Sequence, residues 1–323
     1  MAKILVTGAA GFIGSSLVRE LCKQGHEVSG IDNFVTGNPE NLSDTRDQIE
    51  FYEGDIRDNM LIHTLCTNVD IIFHEAALPS VPKSVLDPLT SHLANIDGTF
   101  SLLMAARDMG VQRVVYAASS SAYGESPTLP KHEAMPVNPI SPYAVQKLTG
   151  ELYMQSFARV YDIETVCLRY FNVFGPGQAA DSPYSGVLAK FITSILCGTA
   201  PVIYGDGSQS RDFTYIENVV QANLAAAFAP GSKVNGNVYN VACGKNHSLL
   251  DTYYLLANLI GFDKQPEFRS PRSGDIQHSL AAIEKAKQDF GYVPSVGFEE
   301  GLSRTIEWYA TSLRTAQLLE ATA

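Results

Sequence analysis

With 323 residues, 45% hydrophobic and 18% charged, the chain has the composition of a globular protein of about two domains, or of one large sheet carrying a smaller lobe. A formal net charge of -11, with no run of Lys and Arg, opposes a nucleic-acid partner, and no segment approaches the ~20 apolar residues of a bilayer span. Five cysteines without a CxxC pair, and no His at metal-ligand spacing, predict reduced thiols and no metal. The start MAKILVTGAAGFIG enters a strand pattern at once, so a cytoplasmic location is expected.

Along the chain, short apolar and β-branched runs at Lys3–Thr7, Glu27–Asp32, Ile49–Asp55, Val69–His74, Val111–Ser119 and Glu164–Phe171 read as strands. Between them Phe12–Gln24, Thr90–Gly110 and Pro142–Asp162 carry apolar residues three and four apart, which fits crossover helices. This alternation predicts an α/β fold, a Rossmann-type doubly wound parallel sheet. After Phe171 the Gly and Pro clusters at 175–177 and 205–207 mark a smaller α/β substrate lobe. A helix near Ile216–Ala229 and a strand Val238–Ala242 are expected to return to the sheet. The expected division is a dinucleotide-binding domain over 1–171 and about 213–243, with a second lobe over 172–212 and 244–323.

Gly8, Gly11 and Gly14 lie where the first strand turns into the first helix. Glycines there let the backbone approach a pyrophosphate and aim it at unpaired N–H groups of the helix start. Phe12 and Ile13 fall inside the same turn. Asp32, at the end of the second strand with Asn33 beside it, stands where an adenosine ribose is bonded. No Arg or Lys follows within 33–38, so a 2'-phosphate would meet an uncompensated carboxylate, which favours NAD over NADP. Asp55 and Ile56, after the third strand, are candidates for adenine contact, although a solvent-facing turn explains Asp55 about as well.

Tyr143 and Lys147 are four apart at the start of a predicted helix, hence on one face. A nearby ammonium and an oxidised nicotinamide lower a phenol pKa from ~10 towards operating pH, so the pair suits a general base. Ser119, Ser120 and Ser121 end the fifth strand, at the sheet edge where open parallel sheets bind ligands, although serines there also serve as turn formers.

At these residues the chain resembles the extended short-chain dehydrogenase/reductase family, specifically its nucleotide-sugar 4-epimerases. The resemblance covers nearly the whole length and rests on GAAGFIG, Asp32, the turn 74–77, the stretch 118–124, Tyr143 to Lys147, the stretch 168–177 and the stretch 211–215. It implies Ser119 as the catalytic hydroxyl and places Ala76 at the cofactor. It also implies that Asn172 holds a phosphate or the sugar and that Asp275 bonds the uridine ribose. Arg211 and Arg272, in segments that resemble the family's uridine diphosphate site, suit a diphosphate, although surface solvation also explains such residues. Tyr204 is a candidate to stack on uracil, although an isolated aromatic is more often core. Dehydratases of the family carry Thr-Asp-Glu where this chain has Ser119, Ser120 and Ser121. Without those carboxyl groups epimerisation is expected over dehydration. Epimerases restricted to plain hexoses resemble one another in a bulky Tyr where this chain has Ser279, and removing bulk leaves room for an acetamido group. Ser80, in Pro79–Ser84, resembles the N-acetyl-preferring epimerases.

The expected activity is therefore that of a UDP-N-acetylglucosamine 4-epimerase working through bound NAD, with plain hexoses also candidates. A UDP-glucuronate 4-epimerase or decarboxylase on the same scaffold is the alternative, and a non-catalytic NAD sensor a remote one. The resemblance further implies a homodimer through the helices at 90–110 and 142–162.

Overall fold

β1 (Lys3–Thr7) is buried at every position but its first, and β5 (Arg113–Ser119) is buried up to its last residue. Apolar on both faces, such runs have no solvent side, which forces helices onto both sides of the sheet. The computed structural model describes residues 1–180, 186–271 and 276–322, the last eight of these by backbone alone. With β2 (Glu27–Asp32), β3 (Glu50–Glu53), β4 (Ile71–His74), β6 (Glu164–Tyr170) and β11 (Asn237–Val241), these strands form a seven-stranded, wholly parallel sheet in the order β11-β6-β5-β4-β1-β2-β3. The order reverses between β1 and β4, which opens a crevice at their carboxyl ends.

One face of the sheet is covered by α1 (Phe12–Lys23) and α8 (Ile216–Phe228), and the other by α2 (Asn59–Leu65), α5 (Gly98–Asp108) and α6 (Pro142–Val160). α6 starts where Ser141 accepts the Ala144 N–H at 3.2 Å and Pro142 takes the first helical position. The single helix expected over Thr90–Gly110 is instead broken. α3 (Val81–Leu86) and α4 (Pro88–His92) precede a π-helical turn at Leu93–Asp97, and only then does α5 begin. Asn95 in that turn accepts the Leu78 N–H at 2.7 Å and donates to Gln146 of α6 at 2.9 Å. The wide turn thus turns a buried amide towards two neighbours, a purpose that apolar spacing does not register.

Beyond the sheet the elements shorten. β7 (Val173–Phe174) pairs with β10 (Thr214–Tyr215), β8 (Val202–Tyr204) with β13 (Glu267–Arg269), and β9 (Ser210–Arg211) with β12 (His247–Ser248). Phe174, Tyr215, Phe213 and Phe298 pack ring against ring among them. No helix among the described residues is long and apolar enough to cross a membrane.

Beneath the crevice Arg169 on β6 makes a two-pronged ion pair with Glu151 on α6, at 2.6 and 2.9 Å, both side chains 4% exposed. Removing one partner leaves a buried charge alone. Glu151→Ala is expected to cost ~3–5 kcal/mol, whereas loss of the exposed Lys3–Glu27 pair in Lys3→Ala costs at most ~1 kcal/mol. Urea denaturation of the two variants checks the contrast.

Candidate active site

Gly8 has a φ of +68°, and a Cβ there would lie 2.8 Å from the Ala76 nitrogen; on Gly14 it would lie 2.0 Å from the Gly8 carbonyl oxygen. Only glycine closes this turn, and it brings the start of α1 to the carboxyl end of β1. No described side chain caps Gly11, so the first N–H groups of α1 keep free donors, a cradle suited to a pyrophosphate. Phe12 and Ile13 form the first turn of α1, packed against the core.

Asp32 is 8% exposed and lies under the same turn, accepting the Ala10 N–H at 3.0 Å and the Phe34 N–H at 2.8 Å. Burial raises its pKa and these backbone donors counter it. Asn33 donates to Asp55 at 2.9 Å. Arg57 grips the Asp55 carboxylate with two bonds of 2.9 and 2.8 Å and holds its pKa down at about 2. That carboxylate is fixed and ionised, and the Arg57 charge is committed to it. Ile56 is buried against Gly98. Ala76 donates its N–H to Thr7 Oγ1 at 3.2 Å. Thr7 also meets His74 Nδ1 at 2.8 Å, and His74 Nε2 meets Thr99 at 2.9 Å. Burial pushes His74 down to about 3, so it is a neutral strut between β1, β4 and α5.

Tyr143 opens α6 beside the carboxyl edge of β5, where the Ser119 hydroxyl bears on its phenol. The Tyr143 N–H donates to Ser84 Oγ at 3.0 Å, which pins the first turn of α6. Lys147, 4% exposed, donates to the Ala117 carbonyl at 2.8 Å, with its ammonium 4.9 Å from the centre of the Tyr116 ring. Burial lowers the Lys147 pKa, and Glu75 opposes this. Tyr143 itself is pushed up to about 12, first by burial; the Ser119 bond pulls down and Glu75 pushes further up. The chain's own groups therefore keep the phenol protonated at neutral pH, short of the lowering that an ammonium and an oxidised nicotinamide are expected to produce together. Ser121 donates its hydroxyl to Ser119 Oγ at 2.8 Å and its N–H to the same atom, which makes it a turn former as well as a neighbour of the site. Ser120 opens the 3-10 turn that follows.

On the second lobe Tyr204 lines a cavity of about 790 Å³ with Gln209, Phe268, Arg269, Ile276 and Gln277. Arg211 donates to the Ser210 and Gln277 carbonyls at 2.9 and 3.3 Å, and so joins β9 to the far wall of that cavity. Asn172 sits at a φ of 36° and donates to the Asp212 carbonyl at 3.3 Å. Part-buried Ser279 bonds through its N–H to the Ser210 carbonyl at 3.0 Å. Ser80 caps α3 by accepting the Lys83 N–H at 3.2 Å. Arg272 and Asp275 lie outside the described residues.

Two residues that spacing did not single out stand in this frame. Glu75 accepts the Tyr170 hydroxyl at 2.8 Å next to the cradle. Asp212 is fully buried and takes the N–H groups of Cys243, Gly244 and Ala281 at 2.9, 3.0 and 3.1 Å, tying the end of the sheet to the second lobe.

The profile of the NAD dependent epimerase/dehydratase family matches residues 4–242. The chain belongs to that family. Among curated relatives, a UDP-glucose 4-epimerase from Mycolicibacterium smegmatis is 39% identical over 311 residues, 95% of this chain and 98% of the relative. Among solved structures, a UDP-N-acetylglucosamine 4-epimerase from Methanobrevibacter ruminantium, in complex with UDP-N-acetylmuramic acid, superposes with a TM-score of 0.92 at 39% identity, covering 96% of this chain and 99% of that one. The UDP-glucose 4-epimerase of Thermotoga maritima, with UDP-glucose, gives 0.92 at 36% identity over the same shares. The enzyme is thus an NAD-dependent member of the epimerase/dehydratase family on a Rossmann sheet.

Burial raises the Asp212 carboxyl to about 6, above its ordinary range. The folded enzyme then holds a proton that the unfolded chain releases. This contribution to stability is complete below the ordinary carboxylate range and is lost as pH rises to about 6. Asp212→Asn is expected to be less stable than the parent enzyme throughout but to lack this fall; denaturation midpoints measured from pH ~4 to ~7 check it.

Proposed function

We propose that the enzyme interconverts the C4 epimers of UDP-hexoses, with UDP-N-acetylglucosamine and UDP-N-acetylgalactosamine as its preferred pair. The observation that supports this reading is that Tyr143 and Lys147, one turn apart on α6, stand with Ser119 at the carboxyl end of β5, where Lys147 is bonded to the Ala117 carbonyl. NAD, bound in the cradle by Gly8, Gly11, Gly14 and Asp32, supplies a hydride acceptor that later gives the hydride back. Tyr143 takes the proton of the sugar C4 hydroxyl, Ser119 orders that hydroxyl against the phenol, and Lys147 offsets the negative charge on the phenolate. The sugar, now a 4-ketone, turns over about its bond to the diphosphate and presents the opposite face for reduction, and Tyr143 returns the proton.

Turning a sugar over requires the nucleotide to stay fixed while the ring moves. The cavity beside Tyr204 and Phe268, with Arg211 behind it, is suited to hold the uridine and diphosphate end. Ser279 favours the N-acetylated substrates because its side chain leaves volume where a larger residue would fill it. The likeness to the Methanobrevibacter enzyme agrees with this reading, and the equal likeness to UDP-glucose 4-epimerases keeps plain hexoses among the substrates.

For the assembly we infer a homodimer. Phe100 on α5 and Val145, Leu152 and Tyr153 on α6 are apolar and at least a third exposed, and Phe100 packs on Tyr153 at 5.1 Å. Together they form a continuous apolar face of the kind that interfaces cover.

Purified enzyme, without added NAD, is expected to interconvert the N-acetylated pair as resolved by chromatography and proton NMR; reaction of UDP-glucuronate alone would overturn the substrate assignment. Tyr143→Phe should abolish turnover while leaving UDP binding intact. Ser279→Tyr should lower kcat/KM for the N-acetylated pair by roughly a hundredfold and for UDP-glucose by less than about threefold. Leu152→Glu is expected to shift the sedimentation coefficient from dimer to monomer.

A further inference from the structure

Glu75 has no part in the mechanism above, yet its setting is built. It follows β4 at the point where the strand order reverses, its N–H bonded to the Thr7 carbonyl at 3.2 Å. The next residue, Ala76, touches Gly8 of the cradle. The Glu75 carboxylate accepts the Tyr170 hydroxyl at 2.8 Å, and that hydroxyl in turn accepts the Asn223 amide at 2.8 Å. Tyr170 is 9% exposed and Asn223 fully buried, so β6 and α8 jointly clamp an acid at the floor of the crevice. The Asn223 amide oxygen lies 3.0 Å from Tyr170 Oη, close enough to satisfy that hydroxyl without any acid. A carboxylate is therefore not needed to pack this corner, and burial works against its charge.

Its electrostatic neighbours give the reason for it. Glu75 follows His74, which pairs with Tyr116 of β5, and the Lys147 ammonium is bonded to the carbonyl of Ala117, the next residue of β5, so acid and ammonium stand at the same end of neighbouring strands. The acid opposes the lowering of the Lys147 pKa and bears on Tyr143 as well. Lys147 is buried, and the chain's own groups keep Tyr143 uncharged at neutral pH. An oxidised nicotinamide beside them adds a second cation to a site of low dielectric, where two like charges repel strongly.

We propose that Glu75 is the counter-charge of this cluster: its carboxylate balances the Lys147 ammonium and the cationic nicotinamide ring, and so holds the bound cofactor oxidised between turnovers. This rests on the reading that NAD occupies the glycine cradle with its nicotinamide towards Tyr143. In the oxidising half-reaction the sugar C4–H bond gives a hydride to the ring and the C4 hydroxyl gives its proton to the Tyr143 phenolate; in the reducing half-reaction both return. In the first of these the ring loses a positive charge and the phenolate a negative one, so the bias acts between turnovers, when Tyr143 is protonated in both states: a carboxylate at 75 then favours the oxidised ring over the reduced one. An epimerase needs that bias. If the ketone escapes first, the enzyme is left with a reduced cofactor and nothing to reduce.

The test uses nucleotide-stripped full-length protein, with NAD and NADH themselves as probes. Affinities for both are measured by fluorescence titration for the parent enzyme and Glu75→Gln, and the reduced fraction by near-ultraviolet absorbance after incubation with NAD and UDP-glucose. In Glu75→Gln the ratio of NADH to NAD affinity is expected to rise about tenfold or more, and reduced cofactor to accumulate. A ratio within about twofold of the parent overturns the proposal while leaving the cofactor reading intact. Failure of the parent enzyme to bind either nucleotide overturns the cofactor reading, and the proposal with it. If Glu75→Gln does not fold, Tyr170→Phe carries the test, since it keeps the acid but removes the bond that favours its charged form. The ratio should then move the same way by a smaller factor, and an unchanged ratio overturns the proposal.

Discussion

A Cβ on Gly14 would stand 2.0 Å from the Gly8 carbonyl oxygen, and one on Gly8 would strike the backbone at Ala76. This contact between bare backbones sets the geometry of everything above the sheet. Because the turn from β1 closes so tightly, the start of α1 with its unpaired donors lies over the strand ends, and β4 is drawn up beside it. The same closeness brings Glu75 and Ala76 to the cradle wall and places Asp32, bonded to the Ala10 N–H, beneath it. A methyl group at either glycine would separate the helix from the strand, and with it the anion site from the catalytic edge.

The second requirement is the angle of α6. Tyr143 and Lys147 reach the crevice only if that helix neither rolls nor slides, and its restraints are spread along its first three turns. Ser141 caps it, Ser84 holds the Tyr143 N–H, Gln146 accepts from Ser91 and Asn95 at 2.6 and 2.9 Å, and Glu151 grips Arg169. All of these are polar contacts with buried or half-buried partners, and each fails if its donor is misplaced by about 1 Å. They are costly to build in a core and have few alternative arrangements, which is what an active-site helix requires.

This division explains what could be read from the amino-acid order. The sheet was legible because parallel strands buried on both faces are written as unbroken apolar runs, and the crossover helices follow a period of 3.6. Of the site, the cradle glycines, Asp32 and the Tyr143 and Lys147 spacing were legible, since each is a local pattern tied to the end of a strand. Glu75 was not. Its partner Tyr170 is 95 positions away, and an acid after a strand looks like any turn residue. Asp212 finds its three donors 31, 32 and 69 positions on, and the Asn95 turn breaks the very periodicity by which helices are recognised. The serine cluster was ambiguous for a related reason, because only the fold shows the Ser121 hydroxyl spent on Ser119.

A reaction that borrows a hydride and returns it places opposite demands on its two ends. At the nucleotide end the enzyme needs tight, directional contacts, and in the proposed reading these come from the wall of Tyr204, Phe268 and Arg269 on short strands of the second lobe, tied to the sheet through Asp212. At the sugar end strong directional contacts would hold the ring in one orientation and stop it turning. The catalytic edge meets this by offering small hydroxyls, Ser119 to Ser121, together with charges that act over distance. In the proposed mechanism Lys147 and Glu75 act on protonation and redox state without gripping the sugar, because Coulomb forces at several ångströms survive rotation where a hydrogen bond does not. On this view the absence of carboxyl groups at positions 120 and 121 suits a loose pocket as well as the lack of a dehydration step.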